Sequence, residues 1–103
     1  MENLETICCE LISYVGAAKS AFIESCDLAE EGKFEESNQI FKEGEEFFQK
    51  GHEVHFKMLQ LDSNDKLGKI NLLTLHAEDQ LMAAEVAKVM AEKFIRLYKL
   101  FNK

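Results

Sequence analysis

Apolar side chains recur along the first thirty residues with the spacing of an α-helix. They follow steps of four and three residues, interrupted only by Ser25, in the row Leu4, Cys8, Leu11, Val15, Ala18, Phe22 and Ala29. Residues at this spacing lie on one face of a helix, so the pattern predicts a first helix over about residues 3–30. Gly32 follows it, and glycine at this point commonly ends a helix in the left-handed conformation.

A stripe of larger side chains predicts a second helix over about residues 34–60. The stripe comprises Phe34, Phe41, Phe48, His55 and Met58. Gly44 and Gly51 fall on the same stripe, although each glycine disfavours a helix by about 1 kcal/mol relative to alanine. We therefore expect another helix to approach closely at these two positions, the alternative being a simple irregularity.

The third predicted helix spans about residues 67–101 and follows a turn-rich stretch at residues 62–65. Its apolar arc covers roughly two thirds of the circumference in a projection at 100° per residue. The other positions form a solvated strip of Glu78, Glu85, Lys88, Glu92, Arg96 and Lys99. Because a helix in a monomeric bundle needs a much narrower apolar stripe, we expect another copy of the chain to cover the surplus.

These three segments predict one all-α domain over residues 1–103. Short connections between the helices favour an antiparallel up-down-up three-helix bundle. The surplus apolar arc predicts that bundles of this kind assemble through coiled-coil-like helices.

Composition narrows the classes of partner. The chain of 103 residues carries a net charge of −7, which argues against nucleic acid and anionic membranes and fits a partner with a basic docking patch. It has no apolar run of about 18 residues and no signal-peptide pattern, so we expect no membrane insertion and a cytoplasmic location. Cys8, Cys9 and Cys26 are odd in number and are predicted to be free thiols.

Two ionisable residues, His76 and Asp79, interrupt an apolar face of the third helix and form the strongest candidate site. Burying an ionisable group costs free energy unless the group is paired or used. Periodicity alone favours a hydrogen-bonded core residue for a lone histidine on such a face. The functional alternative is an imidazole nucleophile that attacks phosphorus and forms a phosphoramidate.

Asp79 is the one acid in a heptad row that is otherwise apolar. The row is Leu72, Leu75, Asp79, Met82, Val86 and Val89. A single polar residue in such a row often sets the register or stoichiometry of an oligomer. Symmetry-related carboxylates would repel each other unless a cation or protons lay between them, and Mg²⁺ suits an all-oxygen site. The alternative is a plain salt bridge to a lysine or arginine.

Two further histidines, His52 and His55, are three residues apart on the second helix. They are close enough to share a metal, but two imidazoles do not complete a zinc site. One solvent-facing and one packed histidine is the favoured interpretation, and a metal–carboxylate protein using His52, His55 and Asp79 is another hypothesis. The chain has no glycine-rich phosphate loop and no Gly-x-Ser-x-Gly elbow, so it does not look like a kinase, an NTPase or a hydrolase.

The stretch around His76 resembles a signature of one protein family. Residues 73–82, Leu-Thr-Leu-His-Ala-Glu-Asp-Gln-Leu-Met, are similar to the third helix of the lactose/cellobiose family of enzyme IIA components of the bacterial phosphoenolpyruvate-dependent sugar phosphotransferase system. Supporting similarity, in family order, occurs at residues 16–20, 29–34, 51–52 and 91–98. The resemblance covers essentially the whole chain.

The resemblance implies a fold, a reaction and partners. It implies a homotrimer in which His76 accepts a phosphoryl group at Nε2 (a tele-phosphohistidine) from the carrier protein HPr. The group then passes to a cysteine of the cognate IIB component, for uptake of a β-linked disaccharide of the cellobiose, chitobiose or lactose type. It implies a divalent cation, usually Mg²⁺, held on the threefold axis by one Asp79 from each subunit.

The chain departs from the family pattern near the site. Many members have Gln where Glu78 stands, His where Gln80 stands and Gln where His55 stands, so the resemblance leaves the roles of these three side chains open. The hypothesis from a different class is a helical-bundle interaction or regulatory module without chemistry, in which His76 and Asp79 are structural.

Overall fold

The computed structural model of the chain describes residues 3–63 and 72–102. These ranges form three helices and no strand, namely α1 (Leu4–Glu30), α2 (Phe34–Ser63) and α3 (Leu72–Phe101). The predicted all-α three-helix architecture is thus confirmed. The turn was predicted at residues 62–65, but α2 continues through Ser63. The prediction is therefore wrong for residues 62 and 63, which are the last residues of the helix. Residues 64–71, including the predicted start of the third helix, lie outside the described residues.

Both ends of α1 are closed by side-chain and backbone hydrogen bonds. At the start, the Thr6 amide donates to the side-chain oxygen of Asn3 over 2.8 Å, which satisfies one of the free amides of the first turn. At the end, the Gly32 amide donates to the Ala29 carbonyl and the Lys33 amide donates to the Leu28 carbonyl. Gly32 has a φ of 81°, so this is the glycine-terminated Schellman arrangement and the predicted helix end is confirmed.

Helix α1 lies between the other two helices and supplies most of the core. It packs extensively on both α2 and α3, whereas α2 and α3 contact each other little. The α1 row predicted to be apolar is buried from Cys8 to Ala29, with Leu4 partly buried at its start. Although α1 has the length and hydropathy of a membrane-spanning helix, its fully buried Leu11, Val15 and Phe22 are the centre of the bundle.

Helix α2 approaches α1 closely at its two glycines, as predicted. A Cβ atom on Gly44 would lie 2.8 Å from Cε1 of Phe22, and one on Gly51 would lie 2.8 Å from Cγ1 of Val15. The Ser37 hydroxyl also donates a 2.6 Å hydrogen bond to the Ser25 carbonyl of α1. The two helices therefore dock without room for side chains at the glycines.

Helix α3 turns mainly small residues toward the core, together with Leu81, and many of its large ones toward solvent. The buried positions are Thr74, Ala77, Leu81, Ala84 and Ala91. The exposed large side chains include Leu72, Leu75, Met82, Val86, Val89, Met90, Phe94, Leu97 and Leu100. We call the exposed row Leu72, Leu75, Met82, Val86 and Val89 the α3 stripe.

The charged strip of α3 is solvated at Glu85, Glu92, Arg96 and Lys99, as predicted, but Glu78 and Lys88 are partly buried. Glu78 bonds to His55 of α2, and the Nζ atom of Lys88 lies 3.6 Å from Glu45 and 5.9 Å from the ring centroid of Phe48. The charged side chains run along the shallow junction with α2, where their charged ends stay hydrated while their stems pack. The apolar α3 stripe, by contrast, has no cover within the described part of the chain.

Candidate functional site

His76 and Asp79 lie near the beginning of α3, on its outer side. The inner side at this height is occupied by the buried Thr74, Ala77 and Leu81, and the helical spacing places His76 and Asp79 away from those three. Both side chains are exposed in the single chain. The expectation that the chain itself buries these two polar groups is therefore wrong, because the apolar face that carries them is not the face that meets α1.

The imidazole of His76 is open to an incoming molecule. Within residues 3–63 and 72–102 it makes no hydrogen bond and no ion pair. It therefore cannot be the hydrogen-bonded core histidine that periodicity alone favours. An exposed imidazole with an unengaged nitrogen can act as a nucleophile toward a phosphoryl group presented in line.

Asp79 lies within the α3 stripe, among side chains that are largely exposed. Leu75 is 56% exposed, Met82 63% and Val86 62%. Asp79 has no salt bridge in the described part of the chain, so the plain ion pair is not formed there. A lone carboxylate surrounded by exposed hydrophobic side chains is an unusual surface feature, because such a row normally packs against another protein surface.

One chain by itself does not assemble a metal site around these residues. Among the described residues, no three His, Cys, Asp or Glu side chains come together as potential ligands. One chain therefore does not bring His52, His55 and Asp79 together as ligands. Asp79 offers oxygen ligands of the kind that Mg²⁺ prefers, so its carboxylate fits such an ion only where further copies of the chain contribute theirs.

The two histidines of α2 have different surroundings, as the favoured interpretation predicted. His52 is exposed and its ring packs at 4.6 Å, centroid to centroid, on Phe48. His55 is largely packed, with 19% of its side chain exposed, and its Nε2 atom lies 2.7 Å from Oε1 of Glu78. Neither histidine belongs to a group of three potential metal ligands within the described part of the chain.

The bond between His55 and Glu78 was missed by sequence reasoning. It joins α2 to α3 two residues after His76. The available signal was the position of His55 seven residues after Phe48 on the packed stripe of α2. That signal identifies a side chain that faces another helix, but it does not identify the residue of α3 opposite to it.

The three cysteines are free, as predicted, and differ in their burial. Cys8 is buried, Cys26 is partly buried and Cys9 is exposed. Burial raises the pKa of the Cys8 thiol, and the charges of Cys9 and Glu78 raise it further. A buried thiol with a raised pKa is a poor nucleophile, so Cys8 belongs to the core and not to the reactive groups of the site.

In the described part of the chain, grooves lie along the second half of α3, and His76 lines neither of the two named next. One lies between α2 and α3 and is lined by residues that include Phe34, Ile95 and Lys99. The other lies between α1 and α3 and is lined by residues that include Ile23 and Phe94. Among the described residues, His76 lies on an exposed part of the α3 surface.

Comparison with known proteins assigns the chain to a family. Residues 6–99 match the model of the family described as "PTS system, Lactose/Cellobiose specific IIA subunit". The chain is 33% identical over 98 residues to the oligo-beta-mannoside-specific EIIA component of Bacillus subtilis strain 168, covering 95% of this chain and 89% of that protein. It is 30% identical, with the same coverage, to the lichenan-specific phosphotransferase enzyme IIA component of the same organism.

A solved structure has the same fold. The crystal structure of the cellobiose-specific enzyme IIA from Bacillus anthracis is similar with a TM-score of 0.91 at 29% sequence identity. The similarity covers 99% of this chain and 94% of that one. The whole bundle, and not only the stretch around His76, is thus shared.

Proposed function

The chain belongs to the lactose/cellobiose-specific IIA subunit family of the phosphotransferase system, and from this premise we propose that it is a cytoplasmic phosphocarrier whose acceptor is His76. The observation that carries the proposal is the exposed, unengaged imidazole of His76 near the start of α3. A carrier must meet a donor and then an acceptor at the same atom. An open helical surface suits that requirement, because both partners can reach it in turn.

The proposed chemistry consists of two in-line displacements at phosphorus. The lone pair of His76 Nε2 forms a bond to the phosphorus of phosphohistidine on HPr while the phosphorus–nitrogen bond of the donor breaks. In the second step, a cysteine thiolate of the IIB component attacks the same phosphorus and the bond to His76 breaks. The chain contributes mainly position, since phosphoryl transfer needs little covalent assistance from the protein.

We propose that three copies assemble through the α3 stripe. Leu75, Met82 and Val86 are each more than half exposed in one chain, and apolar surface removed from water contributes about 25 cal/mol per Å². The second apolar surface, the groove beside Ile23 and Phe94 of α1 and α3, is a different patch. A contact between two different patches of neighbouring copies is called heterologous. Such contacts close into a ring of three when each copy is rotated by a third of a turn relative to the next.

Asp79 gives this trimer a place for a cation. One carboxylate from each copy would hold Mg²⁺ at the threefold axis, where three unneutralised carboxylates would repel each other. When bound, the ion neutralises these charges. The transfer steps assigned to His76 do not pass through it.

The transported sugar is proposed to be a β-linked disaccharide of the cellobiose, chitobiose or lactose type. Support comes from the names of the relatives, which refer to oligo-beta-mannosides, lichenan and cellobiose. In this proposal the membrane component binds the sugar, and the chain described here supplies only the phosphoryl group.

A phosphorylation assay tests the carrier function. The protein is incubated with phosphoenolpyruvate, enzyme I and HPr, and intact-mass spectrometry is used to detect an acid-labile phosphoryl adduct. We expect one adduct on the wild type, none on His76→Ala and an undiminished adduct on His52→Ala, which changes an exposed histidine of α2. Absence of the adduct from the wild type would instead support an interaction module without chemistry, and its persistence in His76→Ala would refute His76 as the acceptor.

A further inference from the structure

We propose that His55 is a positioning residue for phosphoryl transfer, because it holds the part of α3 that carries His76 against α2. The contact is the 2.7 Å hydrogen bond between His55 Nε2 and Glu78 Oε1. The inference rests on the carrier function proposed for His76 and assigns a role to a histidine of a different helix. His55 contacts no reacting atom, so its effect is exerted through Glu78.

The beginning of α3 has few packing contacts that would fix its orientation. Leu72 is 83% exposed and Leu75 is 56% exposed. The buried side chains in this part are Thr74 and Ala77, which are small, and Leu73 is partly buried against the core. The described parts of α2 and α3 contact each other little. The polar bond between His55 and Glu78 therefore fixes α3 relative to α2 near His76, in addition to the packing of α3 on α1.

The His55–Glu78 bond is well suited to that task. An N–H to carboxylate hydrogen bond is stronger than one between neutral groups. The imidazole of His55 is the less exposed partner, at 19%, and Glu78 is 44% exposed, so the bond is partly shielded from water. The His55 Nε2–H donates to the carboxylate in the imidazolium and in the neutral tautomer that carries the proton on Nε2.

The route from Glu78 to the reacting nitrogen is the backbone of α3. Residues two apart on a helix do not face each other, so the carboxylate does not contact the ring of His76. Glu78 and His76 are nevertheless less than one turn apart on a continuous helix. A shift of the helix at Glu78 therefore moves His76 with it, and the attacking nitrogen must be placed accurately for in-line transfer.

An ion pair between Lys88 of α3 and Glu45 of α2 supplies a control for the His55–Glu78 bond. Lys88 Nζ lies 3.6 Å from Glu45 and 5.9 Å from the Phe48 centroid. Lys88 is twelve residues beyond His76, which corresponds to about 18 Å along a helix. Loss of this pair loosens α2 from α3 without acting on the segment that carries His76.

The test measures single-turnover transfer from phospho-HPr at increasing donor concentration, together with the melting temperature. The variants are His55→Ala, His55→Gln, Glu78→Ala and Glu45→Ala. We expect His55→Ala to lower the maximal rate by about 10-fold or more, since small misplacements of reacting groups have effects up to about 100-fold. The half-saturating donor concentration should stay unchanged, because His55 is not placed in the docking surface. His55→Gln retains an N–H donor and should recover most of the rate.

Two further comparisons separate positioning from general stability. Glu45→Ala breaks a pair between α2 and α3 that is longer and more exposed than the His55–Glu78 bond, so it should lower the melting temperature by less than His55→Ala and leave the transfer rate at the wild-type value. Glu78→Ala removes the same hydrogen bond through its more exposed partner and should have the same maximal transfer rate as His55→Ala. The double variant, with both residues replaced by alanine, should be no slower than either single variant. Glu78→Ala also keeps the test decisive if His55→Ala does not fold.

Several results would overturn the inference. These are a wild-type rate in folded His55→Ala or Glu78→Ala, an equal slowing in Glu45→Ala, or a change confined to the half-saturating concentration. A wild-type protein that takes up no phosphoryl group contradicts the carrier function itself. Failure of the positioning role is distinct, because the wild type would then still be phosphorylated.

Discussion

A Cβ atom placed on Gly51 would lie 2.8 Å from Cγ1 of Val15, which is fully buried in α1. Real side chains do not approach so closely, so Gly51→Ala must displace α2 or Val15. Overpacking of a core costs about 1–3 kcal/mol, against a gain of about 1 kcal/mol in helix propensity. We expect a net loss of about 1 kcal/mol in the free energy of unfolding, measured by urea denaturation at fixed protein concentration.

Gly16 provides the matched control for that substitution. It also lies inside a helix, but a Cβ atom there would meet nothing within 4 Å. Gly16→Ala should therefore raise the free energy of unfolding by about 0.5–1 kcal/mol through helix propensity alone. If both alanines shifted stability in the same direction, close helix approach would not be the reason for glycine at position 51.

The buried thiol of Cys8 predicts a loss of stability at alkaline pH. Burial, followed by the charges of Cys9 and Glu78, raises the pKa of Cys8 above its ordinary value of 9.0, so the folded chain keeps a proton that the unfolded chain has released. The stabilisation from the protonated Cys8 thiol is complete below the pKa of this thiol in the unfolded chain. It is lost as the pH rises toward and through the higher pKa of the thiol in the folded chain. We expect the wild type to lose stability above pH 9 more steeply than Cys8→Ala. Parallel curves in chemical denaturation would contradict this expectation.

A charge in the middle of the α3 stripe tests assembly. Val86 is 62% exposed in the single chain, so Val86→Glu should leave the helix content unchanged, while in a trimer it would bury three unpaired carboxylates. We expect sedimentation equilibrium to find monomers for Val86→Glu and trimers for the wild type. Gln49→Glu adds the same charge on the exposed side of α2 and should remain trimeric. A trimeric Val86→Glu would show that the stripe is not the interface.

Replacing Asp79 by leucine tests the cation separately from assembly. Asp79→Leu removes the like charges that would meet at the axis, and replacing buried charge with a hydrophobic group is often neutral or stabilising. We expect the trimer to persist while the bound divalent metal, determined by elemental analysis after dialysis, is lost. Glu36→Leu changes an exposed acid on α2 and should retain the metal. Full metal occupancy in Asp79→Leu would refute Asp79 as a ligand.

Much of the fold could be predicted from local pattern. The row from Cys8 to Ala29 identified the buried face of α1, because a single apolar arc on a helix has only one way to face a core. Gly32 marked the helix end, since few residues other than glycine adopt its positive φ. Gly44 and Gly51 on a packed stripe predicted the close approach of another helix, with a simple irregularity as the alternative, and the structure identifies that helix as α1.

The candidate site was only partly predictable. His76 and Asp79 were identified as anomalies of the apolar face, yet their exposure in the single chain was not anticipated. The bond between His55 and Glu78 was also missed. It joins residues 23 positions apart in the chain. The helical period shows which face of each helix is buried, but not which residues of two neighbouring helices lie opposite each other.

The sequence by itself determined that the chain forms three helices, where α1 ends and which residues of α1 are buried. Only the tertiary structure decided which side of α3 meets the bundle, because an apolar arc of two thirds of a turn contains more than one possible inner face. Ala77, Ala84 and Ala91 lie inside, since short side chains allow α3 to approach α1 closely. The larger Leu75, Met82 and Val86 are consequently left on the outside, and Asp79 and His76 lie on the outer side with them.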